Sequence, residues 1–174
     1  MKFNLKEAIE VLERTPKTLE SFLIGLSDEW VYCNEGEGTW NTIQVVDHLI
    51  ECEKSSWIPR LKTIIEDGDN KAFPPFDRDA HLTDPSQSSI SQKLKEFKRL
   101  RGRNIEFVWA EITKGSQFEL TGEHPAFGKV KLRELLSTWV VHDLTHVSQI
   151  VRVMSERYRE DVGPWVEYLS VLKD

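Results

Sequence analysis

Two of the five histidines in this chain, His142 and His146, stand four residues apart in the run HDLTH. At about 100° per residue a helix puts both imidazoles on one face, one turn apart, a spacing that lets two rings share a metal ion. His142 follows Leu135 by seven positions and His146 follows Trp139 by seven, so both rings point near an apolar stripe. His48 lies beside Val45, Leu49 and Cys52 on another helical segment, again near its inward side. Three neutral imidazoles from two helices would form an open site for a divalent ion, zinc first, with nickel, iron or manganese as alternatives, leaving positions for water or a substrate. A lone inward histidine is more often a core residue hydrogen-bonded to backbone or carboxylate. The pair four apart weakens that explanation, because two coincident buried rings are hard to satisfy with ordinary partners.

The HDLTH run invites comparison with the HExxH zinc peptidases, whose glutamate serves as general base. Here Asp143 takes the glutamate's place, and its shorter arm disfavours that chemistry. If water were the nucleophile, Glu51, Asp77 and Asp143 are the carboxylates available as base. Cys52, one turn after His48, is expected to be a small buried hydrophobe, with a fourth ligand or redox-sensitive neighbour as the alternative. Asp47 and Asp143 each adjoin a candidate ligand and would either orient an imidazole or form a surface salt bridge. Arg60, Asp77 and Arg78 are expected to pin a crossover to the body of the fold as an Arg–Asp pair; the functional alternative is an arginine that binds a substrate carboxylate or phosphate. His81 and His124 fall in Pro- and Gly-rich stretches and read as surface or turn residues. Trp57, Trp139 and Trp165 read as core or interface anchors, or as pocket walls.

The elements that must position these groups are helical. Leu5, Ala8, Ile9 and Leu12, then Leu19, Phe22, Leu23 and Leu26, keep helical spacing. Thr15-Pro16 predicts a break there, with Thr15 as cap of a second piece. Thr39, Trp40, Ile43, Val46, Leu49 and Ile50 open a second helix running towards Asp67, with a kink expected at Pro59. Gly68 to Ser89, with Pro74, Pro75 and Pro85, reads as a long crossover. Ile90 to Ile112 gives a third helix whose basic side reads as solvated, and Leu132 to Met154 a fourth. The stretch from Gly115 to Lys131 reads as irregular loop, and the tail DVGPWVEYLSVLKD is expected to dock through Trp165, Tyr168 and Leu169. The expected fold is therefore all-α, one four-helix bundle domain over 1–174 with long crossover connections.

Composition agrees. At 174 residues, with 39% apolar and 30% charged positions, the chain has the make-up of one globular domain. Twenty-three basic against 29 acidic residues leave a net charge of -6, which gives no overall attraction to nucleic acid or anionic lipid. No stretch reaches the roughly 20 apolar residues of a membrane span, and the mixed-charge start MKFNLKEAIE is unlike a signal peptide. The expectation is a cytoplasmic protein whose two cysteines, Cys33 and Cys52, are reduced thiols.

TW followed by VVDHLIECE, then HPAFGKVKLRELLSTWVVHDLTHVSQIVRVM, resembles the DinB-like superfamily, and the TPKTLESFL, WIPR, FDRDA and YREDVGPWVEYL segments extend the resemblance over nearly the whole chain. The resemblance implies a four-helix bundle with crossover connections, a homodimer, and a divalent metal held by three histidines, at the positions of His48, His142 and His146. The family includes metal-dependent thiol transferases that use low-molecular-weight thiols such as bacillithiol, and a mycothiol-dependent isomerase. The implied function is a thiol-dependent S-transferase acting on an electrophilic small molecule, with such a thiol as cosubstrate. A metal-dependent hydrolase and a non-catalytic dimeric stress-response protein are the alternatives, since family membership does not fix the reaction.

Overall fold

Four long helical arms run through the computed structural model, which describes residues 3–83 and 88–173. The first, α1 (Leu5–Leu23), starts at Asn4, whose side chain accepts from the Lys6 and Glu7 amides, and it buries Leu5, Ile9, Leu12, Leu19 and Leu23 along one stripe. Contrary to the expected break, Pro16 lies inside this continuous helix, and Thr15 is no cap: its hydroxyl donates back to Val11 O at 3.2 Å. A proline lacks the N–H that would have satisfied the carbonyl four residues earlier. That carbonyl, Leu12 O, is instead met by Arg101 Nη1 at 2.8 Å. A cation from a neighbouring helix thus takes over the missing helical bond.

After the short helix α2 (Asp28–Val31), the second arm consists of α3 (Thr42–Ser55) and α4 (Trp57–Glu66). Asn41 and Gln44 form a capping box at its start, so the helix opens three residues later than Thr39 suggested. The discontinuity falls at Ser56, not at Pro59. The Pro59 ring crowds the carbonyl of Ser55, four residues earlier, and with no outside donor supplied there, unlike at Pro16, the helix ends one turn before the proline.

The crossover continues through a turn at Gly68–Asn70 and the short helix α5 (Ala80–Thr83); Pro85 lies outside the described residues. The third arm, α6 (Ile90–Glu111), is capped by Ser89 and Gln92, and the fourth is α7 (Leu132–Glu156). The basic side of α6 is not simply solvated, because Lys93 and Arg101 are both buried. Between α6 and α7 the expected loop is in part an antiparallel hairpin, β1 (Thr121–His124) with β2 (Gly128–Lys131). Phe73 N donates to Glu123 O at 2.9 Å, which ties the start of the crossover to the hairpin. The close approach requires a glycine: a Cβ on Gly122 would lie 2.7 Å from Phe73 Cε1 and 2.8 Å from Ile64 Cγ1.

The arms pack α1 and α3 each against both α6 and α7. The core divides into two apolar clusters, one around Leu12, Trp57, Leu61, Val108, Leu136 and Trp139, the other around Leu19, Val46, Leu49, Phe97 and Ile150. The C-terminal tail docks through buried Leu172, while Trp165 and Tyr168 face solvent. Among the described residues no helix is long and apolar enough to cross a membrane.

Candidate metal centre

α3 delivers His48 and α7 delivers His142 and His146 to one point in the seam between them. The Nε2 atom of His142 lies 3.2 Å from that of His48 and 3.1 Å from that of His146. Each outer ring has its Nδ1 against an oxygen, which accepts and so sets the tautomer. His48 Nδ1 donates to the Arg78 carbonyl at 3.1 Å, and His146 Nδ1 donates to Gln149 Oε1 at 2.8 Å. Their Nε2 lone pairs are therefore turned towards His142, whose own Nε2–H could satisfy one of them, whereas a cation between the three rings would satisfy all of them and leave no lone pair unmatched. Nitrogens held about 2.0–2.1 Å from one tetrahedral ion are about 3.3–3.4 Å apart, close to the observed spacing. The donor set fits a borderline divalent cation such as zinc, nickel or iron.

Burial keeps these rings in the ligand form. It pushes His48 down to about 4 and His142 to about 3, with the neighbouring imidazoles adding to the effect, and it also lowers His146. Cys52 Sγ lies 3.5 Å from His48 Nε2 and 3.8 Å from His142 Nε2. Burial, reinforced by Glu53, raises its thiol, so it is a neutral neighbour, and among the described residues it does not join the three-histidine cluster of ligand atoms.

Aromatic rings enclose the triad. Trp40 packs 4.9 Å from the His48 ring and nearly parallel to His146, Trp57 meets His142 edge-on at 5.1 Å, and Phe76 meets His48 at 6.2 Å. Of the two histidines expected at the surface or in turns, only His124 behaves so, with Nδ1 accepting the Ala126 and Phe127 amides in the hairpin turn. His81 is buried, its ring against Trp40 and His48, because α5 folds the crossover over the site. The Arg–Asp pair expected to pin the crossover is not formed among the described residues. Asp77 is exposed and accepts from the Asp79 amide, and what holds the crossover is the hairpin bond at Phe73 and the carbonyl of Arg78 on His48.

Behind the triad lies a buried polar network that the sequence did not single out. Arg101 clamps Asp143 with both arms, at 2.6 and 2.9 Å, and gives a further bond to Glu53 Oε1 at 2.8 Å. Asn104 Nδ2 and Trp139 Nε1 also donate to the Glu53 carboxylate. Asp143 is thus a fully buried tie between α7 and α6, not a surface ion pair. Asp47 pairs with buried Lys93 at 2.6 Å. α3 is thereby tied to α6 on both sides of His48, and α7 is tied to it at Asp143, between its two histidines. One signal could have exposed this network: an internal proline obliges some donor to reach Leu12 O.

Comparison with known proteins fits this geometry. The family profile described as the DinB superfamily matches residues 11–150, a span that includes all three histidines. The chain belongs to the DinB superfamily. Two relatives of this DinB-superfamily chain carry names that bear on chemistry. One, from Oceanobacillus iheyensis, is named a putative metal-dependent hydrolase and is 24% identical over 161 residues, covering 88% of this chain and 87% of the relative. The other, YfiT from Bacillus subtilis, has the same kind of name and is 26% identical over 151 residues, covering 83% and 81%. A solved YfiT structure, described as a probable metal-dependent hydrolase with an unusual four-helix bundle topology, superposes with a TM-score of 0.74 at 25% identity, covering 87% of this chain and 86% of that one.

Proposed function

We propose that this chain is a metal-dependent hydrolase of small molecules, working at a divalent ion held by His48, His142 and His146. The observation that carries the reading is the convergence of three neutral Nε2 atoms within 3.2 Å steps; the names of the two relatives support the reaction class. When bound, the ion supplies Lewis acidity, which polarises a carbonyl or phosphoryl oxygen and acidifies water. The protein's own part is positioning. The Arg78 carbonyl and Gln149 fix two of the rings, the Arg101 network holds α7 against α6, and Trp40, Trp57 and Phe76 keep bulk water from the back of the rings.

A second reading, transfer of a low-molecular-weight thiol to an electrophile, is favoured by one observation. None of the three carboxylates considered as general base joins the histidine cluster among the described residues. Asp143 is taken by Arg101, Glu51 accepts from Ser55 at 2.6 Å, and Asp77 is exposed. A thiolate nucleophile needs no protein base. The deciding assay offers esters, amides and phosphate esters to zinc-loaded and chelator-stripped protein, with and without a thiol and an alkylating electrophile. Metal-dependent turnover without thiol supports hydrolysis. Turnover only when thiol is added overturns it in favour of transfer, and turnover in neither arm overturns the enzyme reading.

A further inference from the structure

Two arginines beside the triad have no carboxylate partner among the described residues. Arg14 and Arg157, by contrast, reach backbone carbonyls, and Arg101, Arg133, Arg152 and Arg159 each meet an acidic side chain. Arg60, on α4, is half-buried with its guanidinium 5.9 Å from the Phe73 ring centroid and 5.7 Å from that of Phe76, and its buried Nε makes no hydrogen bond. Arg78, on the crossover, lays its guanidinium 5.7 Å from the Trp40 ring centroid. Phe76 and Trp40 are the same rings that pack on His48, so each cation stands one aromatic ring away from the candidate metal ligands. The charge of Arg78 bears on all three histidines and that of Arg60 on Cys52.

A buried guanidinium N–H without an acceptor costs free energy that only an acceptor can recover. Arg60 Nε is the donor so left, the Arg78 guanidinium is held beside Trp40 with no acceptor among the described residues, and a planar fork matches a carboxylate or phosphate two bonds at a time. We propose that Arg60 and Arg78 form an oxyanion-recognition pair beside the triad, so that the substrate of this site is a small molecule carrying a carboxylate or phosphate group. The inference deepens the enzyme reading above and rests on it for the word substrate; the anion site itself does not depend on a bound metal.

The test is calorimetric titration of the metal-stripped full chain with inorganic phosphate and, separately, with succinate, at constant ionic strength. Saturable binding is expected, weakened about tenfold or more by Arg60→Gln or Arg78→Gln and lost in the double variant, since each removes charge-assisted bonds. Tighter phosphate binding assigns a phosphorylated substrate, tighter succinate binding a carboxylate. Arg78→Lys keeps the charge without the fork and should fall between wild type and Arg78→Gln. Arg78 is exposed, so its two variants decide the matter if Arg60→Gln does not fold. No saturable binding, or binding unchanged in the Arg78 variants, overturns the proposal. His142→Ala separates the two readings: it should lose metal while keeping anion affinity within about twofold. If His142→Ala keeps its metal while the arginine variants lose the anion, the metal site falls and the anion site stands.

Discussion

Replacing Arg101 with Met tests the buried network most severely. Arg101 is 1% exposed, and its partners Glu53 and Asp143 are 1% and 0% exposed. The substitution keeps most of the apolar stem but removes bonds to Leu12 O, Glu53 and Asp143. Two buried carboxylates then face each other with no cation, and the carbonyl freed by Pro16 loses its donor. Breaking a buried ion pair by removing one partner costs about 3–5 kcal/mol. That is a fifth or more of the roughly 5–15 kcal/mol that holds a typical domain folded. With about 2.1 cal/mol/K of unfolding entropy per residue, the midpoint should fall by roughly 8–14 °C for a chain of this length. Urea and thermal unfolding followed by circular dichroism, at neutral pH and without metal, measure both quantities. Arg101→Met/Glu53→Gln/Asp143→Asn removes the stranded charges as well and should recover at least half of the loss. A single variant within about 1 kcal/mol of wild type, or a triple variant no more stable than the single, would refute the reasoning.

Other expectations follow from the same geometry. The metal-free chain should lose stability as pH falls from about 6.5 towards about 4, because His48 and His142 titrate at about 4 and about 3 when folded but near 6.5 when unfolded, so the unfolded chain binds more protons in that window. The contribution is complete above about 6.5. Urea midpoints across the window should show a slope that flattens in His142→Gln, and equal slopes in the two proteins would contradict it. Gly122→Ala should cost about 1–3 kcal/mol, since its Cβ meets Phe73 at 2.7 Å and Ile64 at 2.8 Å; an unshifted unfolding midpoint would show that the hairpin does not clamp the crossover. The homodimer implied by the family resemblance has an apolar surface available in Val141, Leu144 and Val151, which are exposed on α7. Light scattering should then give twice the chain mass, reduced by Leu144→Glu, and the mass of one chain in the wild type would exclude it.

The triad was legible because helical periodicity is a local property. His142 and His146 share a face at any i, i+4 spacing, and the apolar neighbours of His48 told which way it pointed. The bundle itself followed from the same stripes. What was not legible depends on partners distant in sequence. Arg101 looked like one more charge on a basic helix; only the packing of α6 against α3 and α7 shows that Glu53 and Asp143 await it. Pro16 read as a break because a proline normally strands a carbonyl, and here a residue 89 positions away from Leu12 satisfies it. The break in the second arm was misplaced because the proline acts through Ser55, one turn before itself. The hairpin was missed because its strands are four residues each, too short for alternation to register. His81 looked peripheral because nothing in its Pro-rich surroundings tells that α5 closes over Trp40.

The central claim is that His48, His142 and His146 together hold one divalent ion. Elemental analysis of protein purified without a histidine tag or chelator, wild type beside His48→Ala, His142→Ala and His146→Ala, tests it most directly. The account predicts about one equivalent per chain in the wild type, and loss of most of it in every variant while helical content stays near wild type, since the apolar clusters fold the bundle without the ion. A wild-type chain that cannot be loaded with zinc, nickel, iron or manganese, or variants that keep their metal, would contradict it.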